Sequence, residues 1–206
     1  MRKILLLAIS LCFVTLAGCD KESEKEKTYD LVISGVGGDP VGSVREVYAY
    51  SIVYGSTIAK ASLTNKSATL KLPEKVGAMY LVDIDESFPE EFFEVSDRSV
   101  QWTDLISLKG FDGDGSETGY FAQASRGANF LQYVRYAYSD GHTKVSAEGE
   151  NNDGIPMEYD ITLQAGWNRL AQKYYFEDLN AEELVPTKIV ITTSLSSGIL
   201  WYYFKE

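Results

Sequence analysis

The sequence has few of the residues on which catalytic and metal sites are commonly built. Its 206 residues include one histidine, His142, and two cysteines, Cys12 and Cys19. Zinc sites normally take cysteine and histidine ligands, so this composition leaves mainly carboxylates for a metal. The chain also lacks a Gly-x-Ser-x-Gly motif, and neither a Walker lysine nor a GxGxxG pattern accompanies Gly37-Gly38. Serine-nucleophile catalysis and nucleotide binding are therefore not indicated.

Positive charge is scarce as well. The chain has 19 basic and 30 acidic residues, for a formal net charge of -11. Such a surface repels nucleic acids and anionic lipid headgroups, so no nucleic-acid partner is predicted. The acidity suits solubility, a cationic partner or a neutral ligand such as a glycan.

The first nineteen residues combine a positive start, an apolar run and small residues before a cysteine. Arg2 and Lys3 precede the apolar residues 4–16, and Leu16-Ala17-Gly18-Cys19 ends the run. This order is typical of a secretory signal peptide. The run is too short for a bilayer core of about 30 Å, which needs roughly 20 apolar residues. A buried helix would carry polar residues on one face, whereas this run is apolar all round.

Leu16-Ala17-Gly18-Cys19 resembles the lipobox of bacterial lipoproteins. The resemblance implies that residues 1–18 are a signal peptide cut after Gly18, that the Cys19 thiol is diacylated, and that the new amine is acylated. Cys12 would leave with the signal peptide, so no free thiol and no disulfide would remain. Several acyl chains anchor firmly, at about 0.8 kcal/mol per buried CH₂. The expected partner of Cys19 is therefore a membrane, and this covalent lipid is the only group expected to be bound.

Residues 19–27 are predicted to be a flexible tether, because seven of the eight residues after Cys19 are charged. The charged run resembles the export tags of surface lipoproteins in Bacteroidota. Asp20, directly after the cysteine, instead resembles the inner-membrane retention signal of enterobacterial lipoproteins. Since the charged run continues well past Asp20, the sequence favours the outer membrane, at its surface or its periplasmic face.

The remaining chain is typical of an all-β fold: one or more antiparallel β-sandwiches of short strands with little helix. Residues 28–84 are predicted to form an N-terminal β half or subdomain, with strands near residues 29–34, 44–54, 58–63, 68–72 and 78–84. Large and polar residues alternate in several of these segments, and Gly, Pro and Asn separate them. Spacings of about ten residues are typical of sandwiches. Whether the chain forms one domain or two stays open.

Residues 85–119 are predicted to be an irregular connection, in which residues 99–108 form either a short strand or a helix. Residues 120–206 are predicted to form a C-terminal antiparallel half or subdomain. Asp140-Gly141 predicts a hairpin turn there. Residues 161–168, followed by Leu200-Trp201-Tyr202, are similar to a pattern in small uncharacterised lipoproteins of Bacteroidota. That resemblance covers about the last third of the chain and implies no active site.

One loop has the composition of a calcium site. Asp112, Asp114, Ser116 and Thr118 place side-chain oxygens at alternate positions among flexible glycines. Calcium loops curl such oxygens around the cation at about 2.4 Å. The segment departs from the EF-hand pattern, because Gln123 stands where the twelfth-position glutamate is needed. A solvated acidic loop without a metal is the favoured alternative.

Aromatic residues are abundant, with 14 Tyr, 9 Phe and 3 Trp. Several stand two apart and so share one face of a strand, as in Tyr48/Tyr50, Tyr136/Tyr138 and Trp201/Tyr203. On an exposed face such a ladder would suit sugar stacking; on an inner face it is core, which we expect for most of these residues. Trp102 and Trp167 are expected to be the most exposed and are the predicted ligand-binding residues.

Three functions are compatible with these features. The favoured one is a non-enzymatic binding or adhesion module of unknown ligand, held at the cell envelope by lipid, with an envelope protein or a glycan as partner. A glycan-capture accessory beside an outer-membrane transporter is the second. The third, of another class, is an envelope glycoside hydrolase using Asp83 with Asp85 or Glu90 with Glu91. Such an enzyme needs two carboxyl groups about 5 to 9.5 Å apart across a cleft.

Overall fold

The structure is a computed structural model that describes residues 28–38, 41–51, 55–103 and 106–205. The predicted signal peptide, with Gly18, and the predicted tether, with Cys19, lie outside the described residues. Within the described ranges, no helix is both long enough and apolar enough to cross a membrane.

Strands make up most of the regular structure in the described chain. They are β1 (Thr28–Ile33), β2 (Gly37–Gly38), β3 (Glu46–Ser51), β4 (Ser56–Ser62), β5 (Ala68–Pro73), β6 (Val82–Asp83), β7 (Glu94–Val95), β8 (Gln101–Trp102), β9 (Ile106–Phe111), β10 (Glu117–Arg126), β11 (Phe130–Ser139), β12 (Thr143–Glu150), β13 (Pro156–Leu163), β14 (Gly166–Tyr175), β15 (Lys188–Thr192) and β16 (Leu200–Lys205). Helical structure in this part is one turn, α1 (Ile84–Ser87), and two 3-10 turns, Val41–Ser43 and Ala78–Tyr80. The all-β prediction is confirmed, while a sandwich arrangement stays a prediction.

The strands form a two-stranded sheet of β1 and β5 and one large sheet. The main path of the large sheet is β2-β16-β10-β9-β11-β14-β15-β13-β12-β7, with β3 and β4 joined to β9 and with β8 and β6 joined to β11. Most neighbours are antiparallel, as predicted. The pairs β13–β15 and β2–β16 are parallel.

A long two-stranded ribbon runs through the large sheet and bends sharply in its middle. β11 pairs with β14 over ten residues, ending at Ser139 opposite Gly166. The pairing resumes in β12 and β13 at Thr143 opposite Leu163. The strands on either side of Asp140-Gly141 therefore do not pair with each other, and the predicted hairpin turn is wrong. The two residues form one corner of the bend.

Side-chain bonds hold the other corner of the bend. Gly166 has φ of +101°, a conformation that glycine adopts without strain. The buried amide of Asn168 accepts a bond from Gln164 N (2.9 Å) and donates to Gln164 O (2.8 Å). The two arms of the ribbon are the β11–β14 pair and the β12–β13 pair. The strand β15 pairs antiparallel with β14 and parallel with β13, so it fills the opening between these arms.

Each face of the large sheet has its own hydrophobic cluster. On one face, Leu31, Leu70 and Leu72 of the two-stranded sheet pack with β11 and β16, including Tyr136 and Tyr203. On the other, inside the bend, Ala137 and Leu170 of one arm pack with Val145, Ile161 and Leu163 of the other. The segment 84–102 fills this second cluster with Ile84, Phe88 and Trp102. Alternation along β11 supplies both clusters, because successive strand side chains point to opposite faces.

The chain between residues 78 and 119 differs in part from the predicted pattern. The strand predicted at residues 78–84 is wrong for most of its length, since a 3-10 turn, the two-residue β6 and the start of α1 lie there. Residues 85–119 contain β7, β8 and β9 among irregular backbone. β9 lies between β3 and β10 and joins strands of both predicted halves in one sheet.

Truncating Leu70 tests whether the two-stranded sheet belongs to the cooperative core. Leu70 is fully buried in the first cluster, so Leu70→Ala should lower the free energy of unfolding by about 2–5 kcal/mol. Leu200→Ala is the matched control, because Leu200 is 60% exposed and its truncation should cost about 0.5 kcal/mol or less. Urea denaturation monitored by tryptophan fluorescence measures both. Equal losses of unfolding free energy in the two variants would show that β1 and β5 are not part of the cooperative core.

The buried phenol of Tyr136 should make the protein sensitive to alkali. Its hydroxyl donates to Gln123 Oε1 (2.7 Å), and burial raises its pKa well above the ordinary value of about 10. The unfolded chain therefore ionises first, so the stabilisation is complete below about pH 10 and is lost as pH rises toward the folded-state pKa. Tyr136→Phe should cost about 1 kcal/mol at neutral pH through the lost hydrogen bond. Between about pH 9 and pH 11, the free energy of unfolding of this variant, measured by urea titration, should also fall less than that of the parent. Equal falls in the two proteins would contradict a raised pKa of Tyr136.

Candidate ligand-binding site

Five half-buried aromatic side chains lie on one face of the large sheet, outside both hydrophobic clusters. We call this surface the aromatic face; its members, on β10, β11, β14 and β16, are Tyr120, Tyr133, Tyr174, Tyr202 and Phe204. Trp201 and Tyr203 are buried in the first cluster, so alternation directs Tyr202 and Phe204 to the opposite side. The sheet thus carries core on one side of β16 and accessible rings on the other.

The rings of the aromatic face form a connected array across the strands. Tyr120 stacks on Phe204 with ring centroids 5.0 Å apart. Phe204 also neighbours Tyr202 at 6.3 Å and Tyr133 at 6.5 Å, and Tyr133 meets Tyr174 at 6.0 Å. These separations fall within the usual range for favourable aromatic pairs. The array is a continuous apolar surface rather than a set of isolated residues.

Two adjoining cavities of 400 and 250 Å³ lie over this face. Both include Leu131 and Tyr133 in their walls, and Phe176 and Leu184 bound the larger one. Small-molecule sites typically have volumes of about 300–1,000 Å³ and walls that are mainly apolar and aromatic. The face therefore has the dimensions of a ligand site.

The charged side chains at these two cavities are both arginines. Arg126 donates from Nη2 to Leu179 O and to Asn180 Oδ1, each at 3.2 Å. Arg135 makes no hydrogen bond or ion pair within the described residues, and its Nε is buried without a partner. Among the described residues, no carboxylate lines either cavity. The local charge is therefore opposite in sign to that of the whole chain.

Phenol groups supply the remaining polarity of the aromatic face. The Tyr174 hydroxyl accepts a bond from Gln172 Nε2 at 2.6 Å and retains its own proton for donation. Burial raises the pKa of Tyr133, with further upward contributions from Tyr120 and Tyr174, whereas Arg135 acts to lower it. The Tyr133 phenol is thus neutral at physiological pH and can both donate and accept.

The predicted ligand-binding tryptophans are not part of this face. Trp102 is 3% exposed inside the second cluster, where its Nε1 donates to Ser87 Oγ (3.0 Å) and its ring lies 4.9 Å from that of Phe88. The expectation that Trp102 is exposed is wrong, because α1 and the segment after it cover the ring. Trp167 is half-buried against the first cluster, and its Nε1 donates to Pro73 O (2.8 Å).

The predicted calcium loop connects β9 to β10, and its first carboxylate has a structural role. Asp112 Oδ1 accepts bonds from Asp114 N and Ser116 N, both at 2.9 Å. Thr118 Oγ1 donates to Gly110 O (3.2 Å). Within the described ranges, no three His, Cys, Asp or Glu side chains are grouped so as to hold a metal ion. The calcium site stays a prediction.

An acidic groove of 610 Å³ lies beyond the bend of the ribbon. Its walls combine rings with six acidic residues, which are Glu90, Glu91, Glu94, Glu148, Glu158 and Asp160. Phe92 is 68% exposed there, but Phe93 packs edge-to-face on Tyr159 at 5.0 Å. Lys188 Nζ donates to Glu158, and this bond raises the pKa of Lys188. The groove would accept cations and repel anions, and its rings are largely used in packing.

The acidic pairs predicted for hydrolysis lie at two places. Asp85 forms an ion pair with Arg98, while Asp83 Oδ1 accepts a bond from Gln101 Nε2 (2.9 Å); both carboxylates are exposed. Glu90 and Glu91 are exposed on the wall of the acidic groove. A general acid needs a shielded carboxyl group, and none of these four has one.

The aromatic face was missed at the sequence level, although the sequence carries a signal for it. Residues 200–204 are apolar at every position, whereas a strand with one solvated face alternates. An unbroken run shows that both faces of the strand are apolar. It does not show which face the rest of the chain covers.

Comparison of the chain with known proteins gives no relative from which a function could be transferred. No protein-family model, no curated protein and no solved structure matches it. Functional inference for this chain therefore rests on its own sequence and geometry.

Proposed function

We propose that this chain is a lipid-anchored binding module of the cell envelope whose ligand lies on the aromatic face. The observation that carries the proposal is the array of five half-buried rings on a part of the large sheet that no described element covers fully. Contiguous apolar surface of this kind commonly marks an interaction site. Cavities of suitable volume over the rings support the same conclusion.

Within this function, capture of a glycan is the more specific candidate. Aromatic ring faces are electron-rich and attract the C–H groups on the faces of sugar rings. The hydroxyls of Tyr133 and Tyr174 lie beside the rings, where they can bond sugar hydroxyls. A glycan-capture accessory beside an outer-membrane transporter is the role that combines such a face with a lipid anchor.

The anchor is proposed from the sequence, on the lipobox-like segment ending in Cys19. A tether of residues 19–27 would separate the lipid from β1, the first described strand. Attachment through Cys19 would keep the aromatic face close to the membrane surface while the fold itself remained in water. The outer membrane is the proposed location.

Replacing Cys19 tests the anchor directly. Cys19→Ser should abolish incorporation of a palmitate analogue and move the protein from the membrane fraction to the soluble or secreted fraction, or leave it unprocessed. Cys12→Ser is the matched control, because Cys12 lies inside the predicted signal peptide and should leave labelling unchanged. Metabolic labelling followed by fractionation measures both. Labelling that persists in Cys19→Ser would contradict the proposal.

Removing rings from the aromatic face tests the binding function. The detergent-solubilised full-length protein is screened on a glycan array, and the hits are titrated with Tyr133→Ala and Tyr174→Ala. We expect each variant to lose about fivefold in affinity or more, since stacking on an aromatic ring and a phenol hydrogen bond together contribute about 1–3 kcal/mol.

Tyr29→Ala is the control for these two variants. Tyr29 is an exposed aromatic residue on β1, outside the aromatic face, and its removal should leave affinity unchanged. Binding that survives both face variants and is lost with Tyr29 would place the site elsewhere. An array with no hits on folded protein would contradict glycan capture.

A further inference from the structure

Arg135 is a half-buried cation that has no partner among the described residues. It belongs to β11, between the Tyr133 and Ala137 positions on the same face, and its side chain is only partly exposed. A guanidinium remains charged at any physiological pH. Among the described residues its buried Nε has no hydrogen-bond partner, as is also true of Arg169 Nε, and an unsatisfied buried donor carries a free-energy penalty.

The other arginines of the described chain all have partners. Arg45 donates to Gly42 O, Arg98 pairs with Asp85, Arg126 bonds Leu179 O and Arg169 bonds Gln123 Oε1. Arg135 is the one described arginine whose guanidinium makes no hydrogen bond or ion pair with another described residue. An arginine kept unpaired beside a cavity is available to a ligand.

The surroundings of Arg135 specify what that ligand would look like. The 400 Å³ cavity places Arg135 beside Tyr120, Tyr133 and Tyr174, and its described lining contains no carboxylate. A complementary ligand has a flat apolar surface for the rings and a negative group for the guanidinium. The planar fork of arginine pairs best with a carboxylate, through two parallel hydrogen bonds.

We propose that the aromatic face binds an acidic glycan, with uronic-acid-type sugar rings stacked on the aromatic side chains and a carboxylate paired with Arg135. This inference rests on the proposed glycan-binding function and adds the class of sugar. An apolar peptide would cover the rings but would leave the guanidinium unpaired.

The acidity of the chain as a whole does not oppose this pairing at short range. At physiological ionic strength charges are screened over about 8 Å, so the contact is governed by the groups at the cavity. Those groups are Arg135 and, at the adjoining cavity, Arg126. Distant carboxylates would slow the approach of an acidic glycan more than they would weaken its bound state.

The test compares acidic sugars with their neutral esters. Oligosaccharides of galacturonate, glucuronate and mannuronate, each beside its methyl ester, are titrated calorimetrically against the detergent-solubilised full-length protein. Esterification removes the charge and keeps the rings. We expect at least one acid to bind 10-fold or more tighter than its ester, since hydrogen bonds to charged groups contribute about 1.5–3 kcal/mol, or roughly 10- to 150-fold.

Variants assign the preference to Arg135. Arg135→Gln should bring acid and ester to within about threefold of each other while ester binding stays as in the parent. Arg135→Lys keeps the charge and should retain part of the preference for the acid over the ester. This variant tests the role of Arg135 if Arg135→Gln does not fold. Arg45→Gln, an exposed arginine on the loop before β3, should retain the full preference.

The outcomes separate this inference from the proposed function. Equal affinity for acid and ester, or an acid preference that survives in Arg135→Gln, overturns the acidic-glycan inference. If Tyr133→Ala still weakens binding in that case, the glycan-binding function stands. If none of these sugars binds to folded protein, the inference is overturned, and the function falls only if the glycan array is silent as well.

Discussion

The pairing of β11 with β14 is the interaction on which the rest of this structure depends. It runs in unbroken register for ten residues and continues, past a sharp bend, as the pairing of β12 with β13. Because strand side chains alternate, β11 contributes Val134 and Tyr136 to one cluster and Ala137 to the other. One ribbon thereby organises two cores, and the bend makes the second core possible.

The aromatic face exists because the second hydrophobic cluster covers only part of one face of the β11–β14 ribbon. Between the Arg135–Leu170 pair and the bend, this face of the β11–β14 ribbon is covered by β12, by β13 and by the segment around Trp102. Farther from the bend the same face carries Tyr133 opposite Gln172 and Leu131 opposite Tyr174, and no element of the described chain covers it fully. The aromatic face is therefore the uncovered continuation of a core surface, and Arg135 stands at its boundary.

Local pattern predicted the strands well and their partners poorly. Alternation predicted β1 and β5, whose buried side chains occupy alternate positions. Asp140-Gly141 marked a real change of direction, but turn chemistry does not say whether the flanking strands pair with each other. At the opposite corner, Gly166 adopts a positive φ and Asn168 closes the bend.

The sequence by itself determined an acidic all-β chain, the positions of several strands in its N-terminal part and an N-terminal segment resembling a lipobox, because these depend on composition and on neighbours along the chain. Only the tertiary structure decided that Trp102 is buried, that Tyr202 and Phe204 are accessible and that Arg135 has no partner among the described residues. Exposure of a strand face depends on which distant element packs over it. The bend of the ribbon determines which element packs over each face, and the pattern of residues close together in sequence does not specify that bend.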